Sequence, residues 1–331
     1  MAEEDCCIDT AIEPRVSLPK DSLIDMEVIT PRNRTNPYKN LSITKIIGQG
    51  KFPVFLATSR NTNQDFALKL FPCKNPNSVK CYQNEILFAS LNHTNILKIL
   101  HFEQNKTVKY QNNTSSASLI ISEYAPYGDF FDFVLKHKAN INEKLIRTYF
   151  RQLIQGLGYL QKRGISHLDL KLENLLIGEN FNLKIADFDL SLFSKNSKVL
   201  TKGTEYYRAP ELLNGKCENG SAADIYSTGV ILFTLKSGGI IPHTESAPFK
   251  GIDFLDLLNN NPSKFWRRHC EIQQKQMSEF SMDFRDLVIG MLKSDPEERW
   301  TLQKIKESRW YNDVVYSEDE LHDVMKRLLQ T

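Results

Sequence analysis

The stretch that decides the fold is HLDLKLENLL, residues 167–176. It places an imidazole, a carboxylate, an ammonium and an amide in one short segment: His167, Asp169, Lys171 and Asn174. Charged and amide side chains at this density are not typical of a buried core. They predict a loop that carries chemistry, because an acid beside a lysine can accept a hydroxyl proton while the lysine holds a phosphate oxygen.

A second acidic segment follows, LKIADFDLSL at residues 183–192. Its first carboxylate, Asp187, comes soon after Asn174 in the chain. Carboxylate and amide oxygens are hard ligands that suit Mg²⁺, which keeps several waters and takes few protein contacts. Since magnesium on a protein usually accompanies a phosphorylated substrate, the two segments together predict phosphoryl transfer.

Upstream of these segments lies IIGQGKFPVF, residues 46–55. Gly48 and Gly50 allow the backbone to approach a phosphate and to point N–H groups at it. Lys69 follows inside the apolar strand pattern FALKLF. An ammonium that turns inward from such a strand needs an anionic partner, and Glu85 on the next predicted helix is the candidate.

Composition limits the remaining classes of function. The chain has 331 residues, 41% hydrophobic and 25% charged, with a net charge of +2. This near balance gives no electrostatic reason to expect nucleic acid or a membrane surface as a partner. No apolar run reaches the ~18–20 residues that span a bilayer, and the acidic start is unlike a targeting signal. Six cysteines without metal-ligand spacing predict free thiols and a location in the cytoplasm or nucleus.

The hydrophobic pattern along the chain changes at two points. Residues 1–40 show no clean period, which predicts a flexible arm. Residues 41–125 read as strands with one helix, predicted over 79–92, and a polar hairpin loop over 105–118. From residue 126 the period is helical, and the helix at 142–164 has the clearest apolar stripe. A last helix from Ser317 carries a capping box with Glu320.

Taken in order, these motifs resemble the catalytic domain of eukaryotic protein kinases, from about Leu41 to Trp310. The matching elements are G-x-G at 48–50, A-L-K at 67–69, Glu85, H-x-D-x-K-x-x-N at 167–174, D-F-x at 187–189, A-P-E at 209–211 and D-I-Y-S-x-G at 224–229. The resemblance implies an α+β, two-lobed fold with a small, mainly antiparallel β N-lobe that contains one helix and a larger, mainly α C-lobe. It implies a kinase domain over 41–311, with lobes meeting near 125–126, and a helical extension over 312–331.

The resemblance also implies a role for individual residues. The catalytic residues would be Asp169 and Lys171, and the magnesium ligands Asn174 and Asp187. The residues implied to bind ATP are Ile47, Gly48, Gly50, Phe55, Ala67, Lys69, Glu85, Glu123, Ala125 and Leu176. The residues implied to hold the structure are His167, Glu211, Asp224 and Arg299.

Substrate class follows from the same comparison. Lys171 two residues after Asp169, with Thr204 before A-P-E, resembles serine/threonine kinases. The segments KLEN and YAPYGDFFDFV are most similar to the calcium/calmodulin-dependent and AMP-activated kinase group. Asp129 and Glu173 match acidic positions that contact an arginine upstream of the phosphosite in such kinases. We therefore expect protein substrates with basic residues N-terminal to the target, ATP and Mg²⁺ as cofactors, and a monomer.

Four residues depart from the family pattern. Pro53 and Phe55 replace the third glycine and the valine of the phosphate loop, and Leu168 replaces an arginine that binds a phosphate on the activation loop. Asp189 replaces the glycine of Asp-Phe-Gly, where it is expected to adopt a positive φ and to restrict flipping of the triplet. Ser194, Ser197 and Thr201 are candidate phosphosites. These departures leave two alternatives to an active kinase: a pseudokinase that acts as a binding scaffold, and a kinase fold that acts on a small molecule.

Overall fold

The chain divides into an antiparallel sheet followed by a set of helices, with the motif-bearing loops between them. The computed structural model describes residues 26–29, 38, 41–110, 113–193, 203–213, 215, 217–242 and 254–330. Within these residues the sheet is accompanied by one helix, and the larger second part is mainly helical. The predicted α+β fold class, with a β-rich N-lobe and a helical C-lobe, is confirmed.

Six strands form the N-lobe sheet: β1 (Met26–Ile29), β2 (Leu41–Gln49), β3 (Pro53–Ser59), β4 (Asp65–Pro72), β5 (Ile99–Tyr110) and β6 (Asn113–Glu123). Their order is β1-β5-β6-β4-β3-β2, and every neighbouring pair is antiparallel. Successive side chains of a strand point to opposite faces. On β4, Leu68 therefore packs into the core on one face, while Lys69 points to the other face, towards the helix.

Two sequence predictions fail in this sheet. The predicted loop over 105–118 is wrong, because β5 and β6 pair through it as far as Tyr110 opposite Asn113. Val108 and Ala117 of this segment are buried in the core of the sheet, and the backbone ladder between β5 and β6 pairs the polar residues around them. The predicted arm over 1–40 did not include β1, which pairs with the outer end of β5. The rest of that arm, apart from residue 38, lies outside the described residues.

The N-lobe helix is α1 (Pro76–Ile86), which is shifted from the predicted range of 79–92. It begins earlier because the Asn75 side chain accepts the N–H groups of Asn77 and Ser78 and proline occupies the first turn. It ends at Ile86, one residue after Glu85, because the next backbone N–H groups donate to carbonyls three residues back and not four. This tightening turns Phe88 into the core, where its ring lies 5.9 Å from that of Phe188.

The C-lobe contains short strands at the interface and helices beneath them. The strands are β7 (Ile165–Ser166), β8 (Leu175–Ile177), β9 (Leu183–Ile185) and β10 (Leu192–Phe193). The helices are α2 (Phe130–His137), α3 (Glu143–Gln161), α4 (Pro210–Leu213), α5 (Gly220–Ser237), α6 (Phe254–Asn260), α7 (Pro262–Gln273), α8 (Met282–Met291), α9 (Leu302–Glu307), α10 (Arg309–Asn312) and α11 (Glu318–Gln330).

Helices α3 and α5 pack against each other and support the loops above them. The predicted apolar stripe of α3 is confirmed, since its members are all buried: Ile146, Tyr149, Phe150, Leu153, Leu157 and Leu160. Gly164 adopts φ +65° just past the helix and lets the chain turn into β7. Helix α5 is buried along nearly its whole length, so the polar residue Asp224 that it carries lies inside the lobe.

The last helix, α11, packs onto the C-lobe. The predicted capping box is confirmed, because Ser317 N–H donates to Glu320 Oε2 over 2.9 Å and Glu320 N–H donates to Ser317 Oγ over 3.2 Å. Leu321, Met325 and Leu328 are buried in the main core cluster. Among the described residues, no helix is both long enough and apolar enough to cross a membrane.

Candidate active site

The segment 167–171 is fixed from below by Asp224 of α5. Its carboxylate accepts the backbone N–H of His167 over 2.7 Å and that of Leu168 over 2.8 Å. Burial raises the pKa of Asp224 to about 6, although His167 and the two N–H groups oppose that rise. Leu168 adopts φ +66°, an unfavourable conformation that these two hydrogen bonds help to hold.

The carboxylate of Asp169 lies at the centre of a hydrogen-bonded group. Its Oδ1 accepts the backbone N–H of Thr204 over 2.7 Å and the Thr204 hydroxyl over 2.9 Å. Its Oδ2 lies 3.1 Å from both Lys171 Nζ and Asn174 Nδ2. Lys171 Nζ also donates to Thr204 Oγ1 over 2.8 Å. Three residues singled out from the sequence, Lys171, Asn174 and Thr204, thus converge on the carboxylate of a fourth, Asp169.

Gly203 allows the Thr204 segment to approach this loop. Its φ is +97°, and a Cβ at this position would collide with the backbone carbonyl oxygen of Leu168. No side chain can therefore replace it without moving Thr204 away from Asp169. No sequence motif marks Gly203, and its one signal is its place directly before Thr204.

Lys69 connects the N-lobe to the second acidic segment. Its Nζ lies 2.7 Å from Glu85 Oε2 and 2.7 Å from Asp187 Oδ1. Burial alone would lower the pKa of Lys69, but Asp187 and Glu85 raise it above its ordinary value. Burial would likewise raise the pKa of Asp187, and Lys69 lowers it instead. At Glu85 burial prevails, so its pKa is raised despite Lys69. The lysine is thus held as a cation between the Asp187 carboxylate and the Glu85 carboxyl group.

The residues of strand β3 that point towards the cleft differ from the predicted ones. Phe55 was predicted to bind ATP, but it lies opposite Leu68, the neighbour of Lys69 on β4, and packs in the core of the sheet. Directly opposite residues on antiparallel strands share a face. Val54 lies opposite Lys69 and Leu56 opposite Ala67, so these two residues point towards the cleft. The prediction for Phe55 is wrong, because a strand's faces depend on register and not on the count from the glycines.

The triplet Asp187-Phe188-Asp189 also departs from expectation. Asp187 takes the positive φ, +67°, while Asp189 is not among the described non-glycine residues with positive φ. The carboxylate of Asp189 is buried and its Oδ2 lies 3.2 Å from Lys51 Nζ. Phe188 packs between the lobes, with its ring centroid 5.0 Å from that of His167. The added side chain therefore makes contacts of its own in place of adopting a strained conformation.

Asn84, one residue before Glu85, holds the backbone after Asp187. Its Nδ2 lies within donor distance of three carbonyl oxygens, those of Phe188 at 3.4 Å, Asp189 at 2.8 Å and Ser191 at 2.9 Å. Helix α1 therefore fixes both the side chain of Lys69 and the course of the segment that carries Asp187. Asn84 could not be identified from the sequence, since an amide on a helix carries no pattern of its own.

The sequence that forms these contacts matches a known protein family. A sequence model described as the protein kinase domain matches residues 41–311 of the chain. The chain belongs to the protein kinase family. The Lys69–Glu85–Asp187 and Asp169–Lys171–Asn174 groups both lie within the residues that match the protein kinase domain.

Several curated protein kinases are similar to the chain. CBL-interacting protein kinase 26 of Oryza sativa subsp. japonica is 33% identical over 288 residues, which cover 84% of this chain and 53% of that protein. NUAK family SNF1-like kinase 1 of Homo sapiens is 31% identical over 298 residues, covering 87% of this chain and 41% of that protein. Such relatives agree with the predicted calcium/calmodulin-dependent and AMP-activated group. The chain spans about half the length of the curated relatives it matches.

Other residues expected at the nucleotide site of this kinase domain lie around the link between the lobes. Ala67 pairs with Ser122 at the end of β6, and Glu123 and Ala125 follow directly. The Glu123 carboxylate pairs with Lys184 Nζ over 3.0 Å. Leu176 lies below the link in β8, where it bridges to Asp129, and Ile47 lies beside Gly48 in β2. Among the described residues, none beyond its two chain neighbours lies within 4 Å of a Cβ built on Gly50, so its lack of a side chain leaves open space.

The remaining predicted residues fall in two places. Glu211 and Arg299 form a buried pair, with guanidinium nitrogens 2.6 and 2.9 Å from the two carboxylate oxygens. Asp129 caps α2 and lies near Glu173, and burial raises the pKa of both carboxyls. The Glu173 Oε2 atom is buried, and no described residue donates a hydrogen bond to it. The candidate phosphosites Ser194, Ser197 and Thr201 lie outside the described residues.

Proposed function

We propose that this chain transfers the γ-phosphate of ATP to serine or threonine hydroxyls of protein substrates, with Mg²⁺ as cofactor. The observation that carries the proposal is the convergence of Lys171, Asn174 and Thr204 on the Asp169 carboxylate. Lys69, held as a cation by Glu85 and Asp187, supplies the positive charge beside that group. Membership of the protein kinase family supports phosphoryl transfer as the type of reaction.

The donor set fits a magnesium ion. Lys69 contacts Oδ1 of Asp187, and the Asp187 side chain keeps 34% of its surface exposed. Asn174 uses its amide nitrogen on Asp169, which leaves its amide oxygen as a ligand. Asn174 and Asp187 would therefore hold the ion, with water and phosphate oxygens completing its shell. When bound, Mg²⁺ would neutralise charge on the phosphates.

In this proposal the chain's own residues hold and move the proton. Asp169 accepts the proton of the substrate hydroxyl, which takes the place that the Thr204 hydroxyl occupies on Oδ1. Lys171, 3.1 Å from Asp169 Oδ2, stabilises the charge on the transferred phosphoryl group. The backbone N–H of Thr204 donates to the Asp169 carboxylate, and the Thr204 hydroxyl accepts from Lys171 Nζ. Thr204 thereby keeps these two side chains next to each other.

A direct test is autophosphorylation with radiolabelled ATP and Mg²⁺. Asp169→Asn keeps the size of the side chain and removes the proton acceptor, so we expect its signal to fall by about 10²-fold or more. Equal signals above background would contradict the proposal and would mean a contaminating kinase or another mechanism. No signal from either protein would favour the pseudokinase alternative, in which nucleotide binds without transfer.

We also propose a preference for basic residues N-terminal to the target. The support is the partly buried pair Asp129 and Glu173, with one Glu173 oxygen that no described residue satisfies. An arginine from the substrate would pair with these carboxylates. On a peptide array we expect the preference to weaken in Glu173→Gln, while Glu179→Gln, a change at an exposed site after β8, leaves it intact. No basic preference in the wild type would contradict this proposal.

Finally, we propose that activity depends less on phosphorylation of the activation loop than it does in kinases with an arginine at position 168. Leu168 is buried and apolar, so it offers no cation to a phosphate on that loop. Phosphatase treatment should therefore leave activity on a peptide substrate nearly unchanged. Loss of activity after such treatment would show that another cation takes this role.

A further inference from the structure

The tip of the phosphate loop contacts two other elements through Lys51. Its Nζ lies 3.2 Å from Asp189 Oδ2 and 3.1 Å from the Sγ of Cys81 on α1. The Asp189 side chain is 5% exposed, whereas that of Lys51 is 54% exposed. Among the described residues, Lys51 makes the one ion pair of the Asp189 carboxylate. A buried carboxylate is costly without such a partner, so the pair draws the loop to Asp189.

Phe52 anchors the same tip from below. Its ring is buried and lies 4.6 Å from that of Phe71, in a small cluster with Cys81 and Tyr82 of α1. Lys69 Nζ lies 5.8 Å from the centroid of the Phe52 ring. The tip of the loop therefore covers the lysine that the proposed function places against the phosphates of ATP.

Asp189 is a fixed point for this contact. Asn84 holds its backbone carbonyl over 2.8 Å, and the adjoining carbonyls of Phe188 and Ser191 lie within reach of the same amide. Asp187, two residues earlier, is paired with Lys69. Since the carboxylate cannot follow the loop outward, opening the loop means breaking the Lys51–Asp189 pair.

The geometry points to a latch, formed by Lys51 and Asp189, that closes the phosphate loop over the cleft. Lys51 and Asp189 are positioning residues, because they act through the loop and not on the reacting atoms. The inference rests on the proposed function, in that the cleft must admit ATP. Its consequence is that nucleotide enters and leaves only when the latch is open, so the latch limits both rates.

The latch can be tested by the rate at which a fluorescent ATP analogue associates with the full chain in stopped flow. Lys51→Met removes a cation and Asp189→Asn removes an anion, so their electrostatic effects on an anionic ligand are opposite. If the latch exists, both changes should accelerate association. The expected acceleration is roughly three- to ten-fold, the effect of losing one half-exposed ion pair. The double variant should be no faster than the faster single one. Lys80→Met, on the exposed side of α1, controls for the loss of a cation.

The latch is overturned if Lys51→Met slows association while Asp189→Asn accelerates it, because charge alone then explains the rates. A second readout needs no nucleotide: amide hydrogen exchange at residues 49–52 should be faster in both variants than in the wild type. Unchanged exchange would also overturn the latch. If exchange responds as expected but the wild type binds no nucleotide, the latch stands and the proposed function fails.

Discussion

At the scale of single residues, the pair of Glu211 and Arg299 shows how burial changes the worth of an ion pair. Its side chains are 8% and 0% exposed, and the guanidinium also donates to the Ala222 carbonyl. Glu211→Gln leaves a buried cation without its counter-charge, so we expect a loss of about 3–5 kcal/mol in the free energy of unfolding. Urea denaturation measures this loss.

The matched control is Glu271→Gln, which breaks an exposed pair with Arg268 on α7. Exposed pairs contribute about 0–1 kcal/mol, so this variant should unfold nearly as the wild type does. Similar losses in the two variants would mean that solvent reaches the Glu211 pair.

Asp224 gives a prediction about pH. Its pKa is about 6 in the folded protein, against an ordinary value of 3.8. Because the folded value is the higher one, the group's favourable contribution is fully present below pH 3.8 and is lost as the pH rises through about 6. At 1.36 kcal/mol per pKa unit, that loss is about 3 kcal/mol.

The measurement compares the unfolding free energies of the wild type and Asp224→Asn between pH 4 and pH 7. The wild-type value minus the variant value should decrease as the pH rises, since other groups titrate alike in both proteins. A difference that grows with pH would mean that the two N–H bonds outweigh burial and that the pKa of Asp224 is lowered.

At the scale of elements, helix α11 tests whether the C-terminal extension is part of the folded domain. Met325 is fully buried against the C-lobe, whereas Leu329 on the same helix is 36% exposed. Met325→Ala should cost about 2–5 kcal/mol in unfolding free energy through lost burial and the cavity that remains. Leu329→Ala, measured in the same denaturation experiment, should cost less than about 1 kcal/mol. Equal costs would place α11 away from the domain.

The elements also show what the sequence could predict. Periodicity identified α3 and its buried stripe, and the motif order identified the fold and most of the residues that meet at Asp169. Local chemistry predicted the capping box of α11. These features depend on neighbours in the chain, which the sequence displays directly.

The failures share a different cause. The face of Phe55, the pairing of residues 106–110 with 113–117 and the end of α1 after Glu85 all depend on register or on packing between elements. A shift of one residue in a strand moves every side chain to the other face, and no local pattern reports it. The contact of Lys51 with Asp189 was missed for the same reason, since 138 residues separate them.

At the scale of the whole molecule, the two lobes meet through charged and polar contacts at the cleft. Lys69, Lys51 and Asn84 of the N-lobe bind the segment 187–191 of the C-lobe. A ligand that binds between the lobes of the folded state should stabilise both. At one hundred times its dissociation constant, a non-hydrolysable ATP analogue with Mg²⁺ should add about 2.7 kcal/mol to the free energy of unfolding.

Thermal denaturation with and without the analogue checks this expectation. At a fixed concentration of the analogue, Lys69→Met should lose most of the stabilisation, because it removes the cation that the proposed function places against the phosphates. Lys74→Met, at an exposed position after β4, should keep it. Equal stabilisation of the two variants would place the ligand elsewhere on the molecule.

The three carbonyl contacts of Asn84 have a consequence for the choice of inhibitors. A ligand that takes the space of the Phe188 ring needs Phe188 to leave its place between His167 and Phe88. That departure would strip the Asn84 amide of its partners and leave buried carbonyl groups unsatisfied. Ligands of this kind should therefore bind weakly, while those that leave the ring in place should not be affected. Selective chemistry against this protein is best sought among ligands that leave Phe188 in place.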